Sequence, residues 1–416
     1  MTRRAAIVAL CVLAAGWAAT LWVGPWSDER VSDLFVYRQD AAAMLHGGLP
    51  YRDVFLEYPP LAAPVLALPG LAGTAEDQYR LAFAAMTLAL AVALVLLCGA
   101  LARRTGGDER RAMLVAALAP LLCGAMIRTH MDLAPVVLTL GALLLVCRGR
   151  PRAGLTVLGL AVMTKGFPLA VAPVALAWVW VRHGRRAALG AAMALVLVMG
   201  TIGVAAFAVS PSGSIDAVRY QLDRPVQVES TPAVILRALE GLGAGQARSV
   251  NSHRSDGLEH PASAAVSVAF AAAMLAVLAA LARAAARPPA DTRRLALASL
   301  AAVAAFAALG RVLSPQFLIW LVPLAALAAA WRLYTLALAT AGAIVLTLVE
   351  FPSRYFDLVA GERFPVAVVA VRDLLLVGVV ALAARALGSE QELLDRRSPA
   401  GVVRLDEHGV KPGVLV

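Results

Sequence analysis

A short polar stretch after the first apolar run of the chain concentrates residue types that could do chemistry. It contains Asp33, at the start of Asp33-Leu34-Phe35-Val36-Tyr37, and Glu57, at the start of Glu57-Tyr58-Pro59-Pro60. A carboxylate held at a membrane surface is costly enough to need a reason. Since a carboxylate within hydrogen-bond reach of a hydroxyl group can act as its general base, Asp33 is the first candidate for a catalytic base.

Three further turns bring charged and polar side chains to the ends of apolar segments. The turn at 127–135 contains Arg128, His130 and Asp132, the turn at 163–168 contains Lys165, and the turn at 310–320 contains Arg311 and Gln316. Lys165 is the only lysine in the predicted membrane region. Because Gly166 and Pro168 break the helix beside it, a functional role is favoured over a purely structural one.

Together these residues suit the transfer of a sugar from a lipid-phosphate donor. Asp33 would remove the proton of the acceptor hydroxyl. Charge develops on the leaving phosphate, and Lys165, with Arg128 or Arg311, would neutralise it. The donor's lipid tail would lie in an apolar groove between helices. The side chains predicted to orient the sugar or the acceptor are Glu57, Tyr58, His130, Asp132 and Gln316.

Each of these residues also has a plain structural interpretation. A carboxylate in an outer loop is usually solvated, and Glu57 could merely anchor the segment that follows it. Arg128 and Arg311 could reach lipid headgroups, His130 could be a turn residue, and the tyrosines could belong to the aromatic belt of the membrane. No His or Cys pattern has metal-ligand spacing, so neither a transition metal nor a cofactor is expected; the sequence leaves open whether a divalent ion assists.

The composition is that of an integral membrane protein. The chain of 416 residues is 61% hydrophobic and 15% charged, with a mean hydropathy of +0.77, whereas soluble domains carry about 25% charged residues. The net charge of +10 resides mainly in short arginine clusters between apolar runs. That distribution is typical of cytoplasmic loops, and the absence of a basic stripe with exposed aromatics argues against nucleic-acid binding.

The apolar runs predict an all-α bundle of about twelve transmembrane helices, because backbone polar groups in a bilayer must be satisfied within the protein. With a cytoplasmic N-terminus, twelve crossings put the arginine clusters on one side, most of the acids outside, and the C-terminus back in the cytoplasm. The predicted spans are 5–26, 79–101, 112–127, 133–147, 153–164, 167–181, 187–209, 262–282, 295–309, 316–330, 333–349 and 366–386.

Two loops of this topology lie outside and are long enough to shape a site. The first, 27–78, contains an apolar segment at 59–71 with four prolines, which favours an interfacial helix over a further span. The second, 210–261, mixes charges with Pro and Gly and is predicted to cover the outer face. Residues 1–387 would form one membrane domain and 388–416 a short cytoplasmic tail.

The motifs in these loops and turns resemble those of the GT-C glycosyltransferases, specifically glycosyltransferase family 87, whose members are polyprenyl-phosphate-mannose-dependent α-mannosyltransferases. The resemblance implies a GT-C helical bundle in the cell membrane, an active site on the periplasmic or extracellular face, and Asp33 as the catalytic base. One departure is that His130 stands where the family pattern commonly has an arginine. The motifs that carry the resemblance are Asp33-Leu34-Phe35-Val36-Tyr37, Gly47-Gly48-Leu49-Pro50-Tyr51, Glu57-Tyr58-Pro59-Pro60-Leu61, Met131-Asp132-Leu133-Ala134-Pro135, Lys165-Gly166-Phe167-Pro168 and Leu313-Ser314-Pro315-Gln316-Phe317-Leu318-Ile319-Trp320.

The resulting hypothesis is inverting transfer of a hexose, mannose first, from a polyprenyl-phosphate donor to a glycolipid or glycan acceptor. Three alternatives stay open: a lipid-linked-sugar flippase or secondary transporter, a non-catalytic assembly partner, and an enzyme of the same kind that uses arabinose or glucose. A transporter should show paired broken helices and ionisable groups near the bilayer midplane. Here the ionisable residues are predicted to gather at the outer face.

Overall fold

The fold is mostly helical. A computed structural model describes residues 3–397, with side chains described to residue 388, so residues 398–416 of the predicted tail lie outside the described part. The helices are α1 (Arg3–Trp22), α2 (Leu34–Leu45), α3 (Ala62–Gly70), α4 (Glu76–Arg104), α5 (Glu109–Ala117), α6 (Ala119–Cys123), α7 (Met126–Thr129), α8 (Leu133–Cys147), α9 (Pro151–Thr164), α10 (Val171–His183), α11 (Arg185–Val209), α12 (Pro211–Asp223), α13 (Thr231–Gly241), α14 (Ser263–Ala285), α15 (Thr292–Leu309), α16 (Val322–Ala330), α17 (Tyr334–Glu350), α18 (Tyr355–Val359) and α19 (Arg363–Arg397). Three 3₁₀ helices cover Gly24–Ser27, Phe167–Ala170 and Pro315–Leu321, and three strands cover Val226–Gln227 (β1), Arg248–Ser252 (β2) and Ser255–Glu259 (β3).

The protein is embedded in a membrane. Among the described residues, six helices are long and apolar enough to cross a bilayer: α1, α4, α11, α14, α15 and α19. Helices α11 and α14 expose large apolar side chains such as Leu197 and Leu275, which suits a lipid-facing surface. Helix α15, by contrast, is buried along most of its length and is rich in alanine, whose small side chain lets neighbouring helices approach closely.

Every predicted span is helical over most of its length, and the span 133–147 has the predicted bounds. The span 112–127 is wrong as a single helix, because the chain is interrupted twice and forms α5, α6 and α7. Pro120 lies in the first turn of α6 and cannot donate a backbone hydrogen bond to the preceding turn. Gly124 ends α6 with a φ of 59°. The total of about twelve membrane crossings stays a prediction.

The first outer loop contains two helices, α2 and α3, that pack on the start of α4. Helix α2 buries Tyr37, Asp40 and Ala41, which share one face of the helix. At the start of α3, the amide of Leu61 donates to the carbonyl of Met163 over 2.8 Å, next to the turn that carries Lys165. The interfacial placement of these helices stays a prediction.

The second outer loop folds into α12, α13 and an antiparallel sheet in the order β1-β3-β2. Strands β2 and β3 form a hairpin whose two turn residues, His253 and Arg254, have φ angles of 55° and 51°. Two positive φ angles match the twist that a two-residue hairpin needs. They are costly for residues other than glycine, and such strain is typical of functional sites.

A buried ionic cluster attaches this loop to the bundle. Arg372 of α19 is fully buried, donates to the carboxylate of Asp373 over 2.9 Å and also donates to the main-chain carbonyl of Glu229. Thr231 donates to the carbonyl of Ala308 at the end of α15 over 2.6 Å. This loop is therefore fixed to two helices of the bundle, α15 and α19.

We predict that Gly213→Ala destabilises the protein by about 1–3 kcal/mol, the usual effect of overpacking. A Cβ atom at Gly213 of α12 would overlap the carbonyl of Tyr51 in the first outer loop. The matched control is Gly203→Ala in α11, where a Cβ atom would meet no other atom within 4 Å, so stability should hold or rise slightly. Thermal unfolding of the purified proteins measures both, and equal midpoints would contradict this close packing.

Candidate active site

The carboxylate of Asp33 is partly exposed, with 37% of its side chain accessible to solvent. Its Oδ2 atom accepts a hydrogen bond of 3.0 Å from the hydroxyl of Tyr37, one turn further along α2. The hydroxyl of Tyr37 lies 3.4 Å from that of Tyr58. In the described part of the chain, no group donates a hydrogen bond to Oδ1 of Asp33. One oxygen is thus oriented by the protein, and the other can accept a proton.

His130 faces Asp33 from the turn between α7 and α8. Its Nε2 atom lies 3.6 Å from Oδ2 of Asp33, and only 2% of the histidine is exposed. On the other side of the ring, Nδ1 lies 3.0 Å from the hydroxyl oxygen of Thr129. His130 is therefore within contact distance of Asp33.

Asp132 connects two distant turns at the base of the site. Its Oδ1 atom accepts hydrogen bonds from Nζ of Lys165, at 2.7 Å, and from the indole nitrogen of Trp320, at 2.6 Å. Asp132 has no exposed surface, and its Oδ2 atom has no hydrogen-bond partner. Because an unpaired buried charge is very costly, Asp132 and Lys165 fix each other's position.

Aromatic rings surround the ammonium group of Lys165. Its Nζ atom lies 5.6 Å from the ring centre of Tyr58, 5.3 Å from that of Phe317 and 5.7 Å from that of Trp320. Trp320 is itself stacked between Phe167 and Phe317, at centroid distances of 3.9 and 4.0 Å. These distances lie within the range of cation–π contacts. The three rings therefore help to fix the Lys165 amine next to Tyr58.

Glu57 is half-buried. Burial, with a contribution from the nearby Asp33, raises the pKa of its carboxyl to about 7, although the positive charges of Arg224, Arg254 and Lys165 act to lower it. A carboxyl group with such a pKa changes its charge near neutral pH. Glu57 thus lies near four charged residues, two of which, Arg224 and Arg254, come from the same loop.

Arg128 lies away from this group of residues. It is 3% exposed and donates from Nε and Nη2 to the carbonyl of Thr20, at 3.0 and 2.8 Å. Its Nη1 atom binds a carboxylate oxygen of Glu29 at 2.6 Å, and Arg80 binds the other oxygen. Arg128 is thus used to join the end of α1 to the first outer loop.

Arg311 and Gln316 lie on either side of the turn after α15. Arg311 donates to the carbonyl oxygens of Gln221, at 3.0 Å, and Leu222, and so binds the end of α12. Gln316 is buried, and its Oε1 atom accepts a hydrogen bond of 2.6 Å from the hydroxyl of Ser314. Arg311 therefore attaches the last turn of α12 to the turn after α15.

Arg224 and Arg254 were missed by the sequence analysis. Arg224 directly follows α12, and Arg254 lies at the tip of the β2–β3 hairpin. Neither lies in a motif, and only their place in the predicted outer loop could have drawn attention to them. Among the described residues, no group of three or more His, Cys, Asp or Glu side chains is arranged to hold a metal ion.

Comparison with known proteins identifies one family. The model of glycosyltransferase family 87 matches residues 55–315, which is more than half of the chain and includes Glu57, Asp132 and Lys165 but not Asp33. Among solved structures, the chain is similar to the crystal structure of the Archaeoglobus fulgidus oligosaccharyltransferase in complex with Zn and sulfate. The two are 15% identical, with a TM-score of 0.42 and coverage of 91% of this chain and 53% of that one. The chain therefore spans about half the length of that protein, and no curated protein matches it.

We predict that Arg128→Met lowers the free energy of unfolding by about 3 kcal/mol, since the change breaks a buried ion pair. The matched control is Arg52→Met, because Arg52 and its partner Asp53 are both well exposed and such surface pairs contribute about 0–1 kcal/mol. Thermal unfolding of the purified variants checks the difference. Unchanged stability combined with weaker donor binding would instead favour contact between Arg128 and the donor phosphate.

Proposed function

The chain belongs to glycosyltransferase family 87, and on that basis we propose that it transfers mannose from a polyprenyl-phosphate donor to a glycolipid or glycan acceptor. The reaction would take place at the outer face of the cell membrane, with both termini in the cytoplasm. The observation that carries the proposal is the carboxylate of Asp33, which is 37% exposed, with one oxygen bound by Tyr37 and the other without a hydrogen-bond donor among the described residues.

In the proposed reaction, Asp33 removes the proton of the acceptor hydroxyl while that oxygen attacks the anomeric carbon. The bond between the anomeric carbon and the phosphate oxygen breaks on the opposite face of the sugar, and polyprenyl phosphate leaves with the bonding electrons. The configuration at the anomeric carbon is therefore inverted. Tyr37 orients Asp33 by donating a hydrogen bond to its Oδ2 atom.

Lys165 is the predicted cation that the geometry supports best for the donor side. Its ammonium group lies beside Tyr58 and, through its charge, acts on Glu57. Asp132 is fully buried, so we assign it the positioning of Lys165 rather than contact with the sugar. Glu57, Tyr58, His130 and Gln316 remain our candidates for binding the sugar or the acceptor.

For Arg128 and Arg311 we propose positioning roles in place of direct contact with the donor phosphate. Arg128 is bound by Thr20 and Glu29, and Arg311 by two main-chain carbonyls of α12. A guanidinium group that already has such partners would have to give them up before it could bind a phosphate.

We predict that Asp33→Asn lowers the transfer of labelled mannose at least about 100-fold, because general-base catalysis contributes about 10²–10⁴ to a rate. The assay uses membranes supplied with labelled polyprenyl-phosphate mannose. The matched control is Asp53→Asn, another carboxylate of the same loop, which is bound to Arg52 at the surface and should keep normal activity. Transfer by the Asp33→Asn protein at the wild-type rate would refute the assignment.

We also predict that donor binding weakens as the pH rises through about 7. Burial keeps Glu57 neutral below its raised pKa of about 7, and above that value the carboxylate repels the donor phosphate. The KM for the donor should therefore rise with pH in the wild type and stay flat in Glu57→Gln. Glu76→Gln, an exposed acid at the start of α4, should behave like the wild type. A pH-independent KM in the wild type would show that Glu57 does not border the donor.

The same pKa shift has a consequence for stability. The ordinary glutamate pKa of 4.5 is raised in the folded protein, so the folded state retains a proton that the unfolded state releases. The contribution of Glu57 to the free energy of unfolding is therefore lost as the pH rises from about 4.5 to about 7. Because Glu57→Gln stays neutral throughout, its thermal midpoint should change less than that of the wild type across this range.

A further inference from the structure

We propose that Arg224 and Arg254, both supplied by the second outer loop, bind the phosphate of the lipid-linked donor. The inference rests on the proposed function, because it takes the region around Asp33 and Glu57 as the site of sugar transfer. The two arginines both belong to the second outer loop, and their charges act on Glu57. The three predicted cations, Lys165, Arg128 and Arg311, belong to the helical bundle and its turns.

The three predicted cations already have partners within the protein. Lys165 forms its ion pair with Asp132 at 2.7 Å, and Arg128 binds Glu29 at 2.6 Å. Arg311 donates to carbonyl oxygens at the end of α12. A leaving phosphate needs positive charge that is not already neutralised and donors that are not already used. The charges of Lys165 and Arg128 are balanced by Asp132 and Glu29, and Arg311 already uses its Nη2 donor on the main chain of α12.

Arg224 has capacity for a further ligand. Its Nη2 atom donates to the hydroxyl of Ser255 at 3.1 Å, whereas its Nε atom is buried and has no hydrogen-bond partner. No carboxylate of the described residues lies within ion-pair distance of this guanidinium group. The nearby hydroxyl of Tyr220 is also buried without a partner. Two unsatisfied donors at one place require an acceptor, since leaving them unpaired is costly.

Arg254 is held against the first outer loop by contacts at the hairpin tip. Its guanidinium carbon lies 5.6 Å from the ring centre of Phe55 in the first outer loop. Phe55 packs on Tyr220 at 5.1 Å, and Tyr220 packs on His253 at 4.8 Å. The strained turn thus presents Arg254 to the first outer loop, where its charge acts on both Asp40 and Glu57.

The placement of Arg224 is fixed from both loops. Gln221 donates to the main-chain carbonyl of Glu57 at 2.7 Å, so the last turn of α12 is bound to the first outer loop. A Cβ atom at Gly257 of β3 would overlap Pro225, so the hairpin packs directly on the residue after Arg224. The two arginines are therefore carried by one rigid unit that borders Glu57.

Two arginines suit the change of charge during transfer. The donor phosphate is a diester with one negative charge, and the released polyprenyl phosphate is a monoester with nearly two. Guanidinium groups bind phosphate oxygens through paired hydrogen bonds. Two of them stabilise the leaving group more than the donor, and such differential binding accelerates the reaction.

The experiment measures binding of farnesyl phosphate, a soluble lipid monophosphate, and of farnesol to the purified full-length protein. In Arg224→Gln and Arg254→Gln, the dissociation constant of farnesyl phosphate should rise at least tenfold, while that of farnesol should not change. Arg224→Lys and Arg254→Lys should recover part of the affinity. The matched controls are Arg219→Gln, whose exposed side chain lies on α12, and Arg248→Gln on the same hairpin; both should bind as the wild type does.

Unchanged affinity for farnesyl phosphate in both glutamine variants would overturn the inference. An equal loss of farnesol and farnesyl phosphate binding would also overturn it, because it would show a misplaced loop instead of a lost phosphate contact. A thermal midpoint close to that of the wild type confirms that each variant folds. The assay involves no turnover, so its outcome is independent of whether Asp33 is the base of the transfer reaction.

Discussion

The arrangement of the site depends on one buried carboxylate. Asp132 has no exposed surface and binds both Lys165 and Trp320, which follow it by 33 and 188 residues. Removing Lys165 would leave the buried charge of Asp132 without compensation, and removing Trp320 would cost that carboxylate a hydrogen bond. The two turns are therefore held against the start of α8. Because Trp320 is stacked between two phenylalanines, the constraint extends to the aromatic surroundings of Lys165.

The two loops that were predicted to lie outside are bound to each other and to the helical bundle. Arg311 binds the end of α12, and Gln221 of that helix binds the carbonyl of Glu57. These contacts connect the end of α12, which Arg224 directly follows, and the main chain of Glu57 to the turn that carries Arg311. Fixed charges of the bundle that lie next to a loop with further cations suit the proposed transfer of a sugar between a lipid phosphate and a hydroxyl group.

Much of this could be predicted from the sequence, because apolar runs and helix-breaking residues determine where helices begin and end. The family was predicted from motifs and is confirmed, and the helix at 133–147 was predicted to the residue. The break of the segment 112–127 into three helices was missed, although Pro120 and Gly124 are local signals for it. The uses of Arg128 and Arg311 could not be predicted, since their partners are main-chain carbonyls and a glutamate of distant segments. Arg254 was missed because His253-Arg254 lacks the Asn-Gly signature of a tight hairpin.

We propose that Asp33 acts in the chemical step and not in binding. The decisive measurement is the single-turnover rate of mannose transfer by purified Asp33→Asn protein, with donor and acceptor both saturating and their dissociation constants measured separately. We expect the rate to fall at least about 100-fold while both dissociation constants stay near those of the wild type. A wild-type rate at saturation, with only the dissociation constants changed, would refute this role.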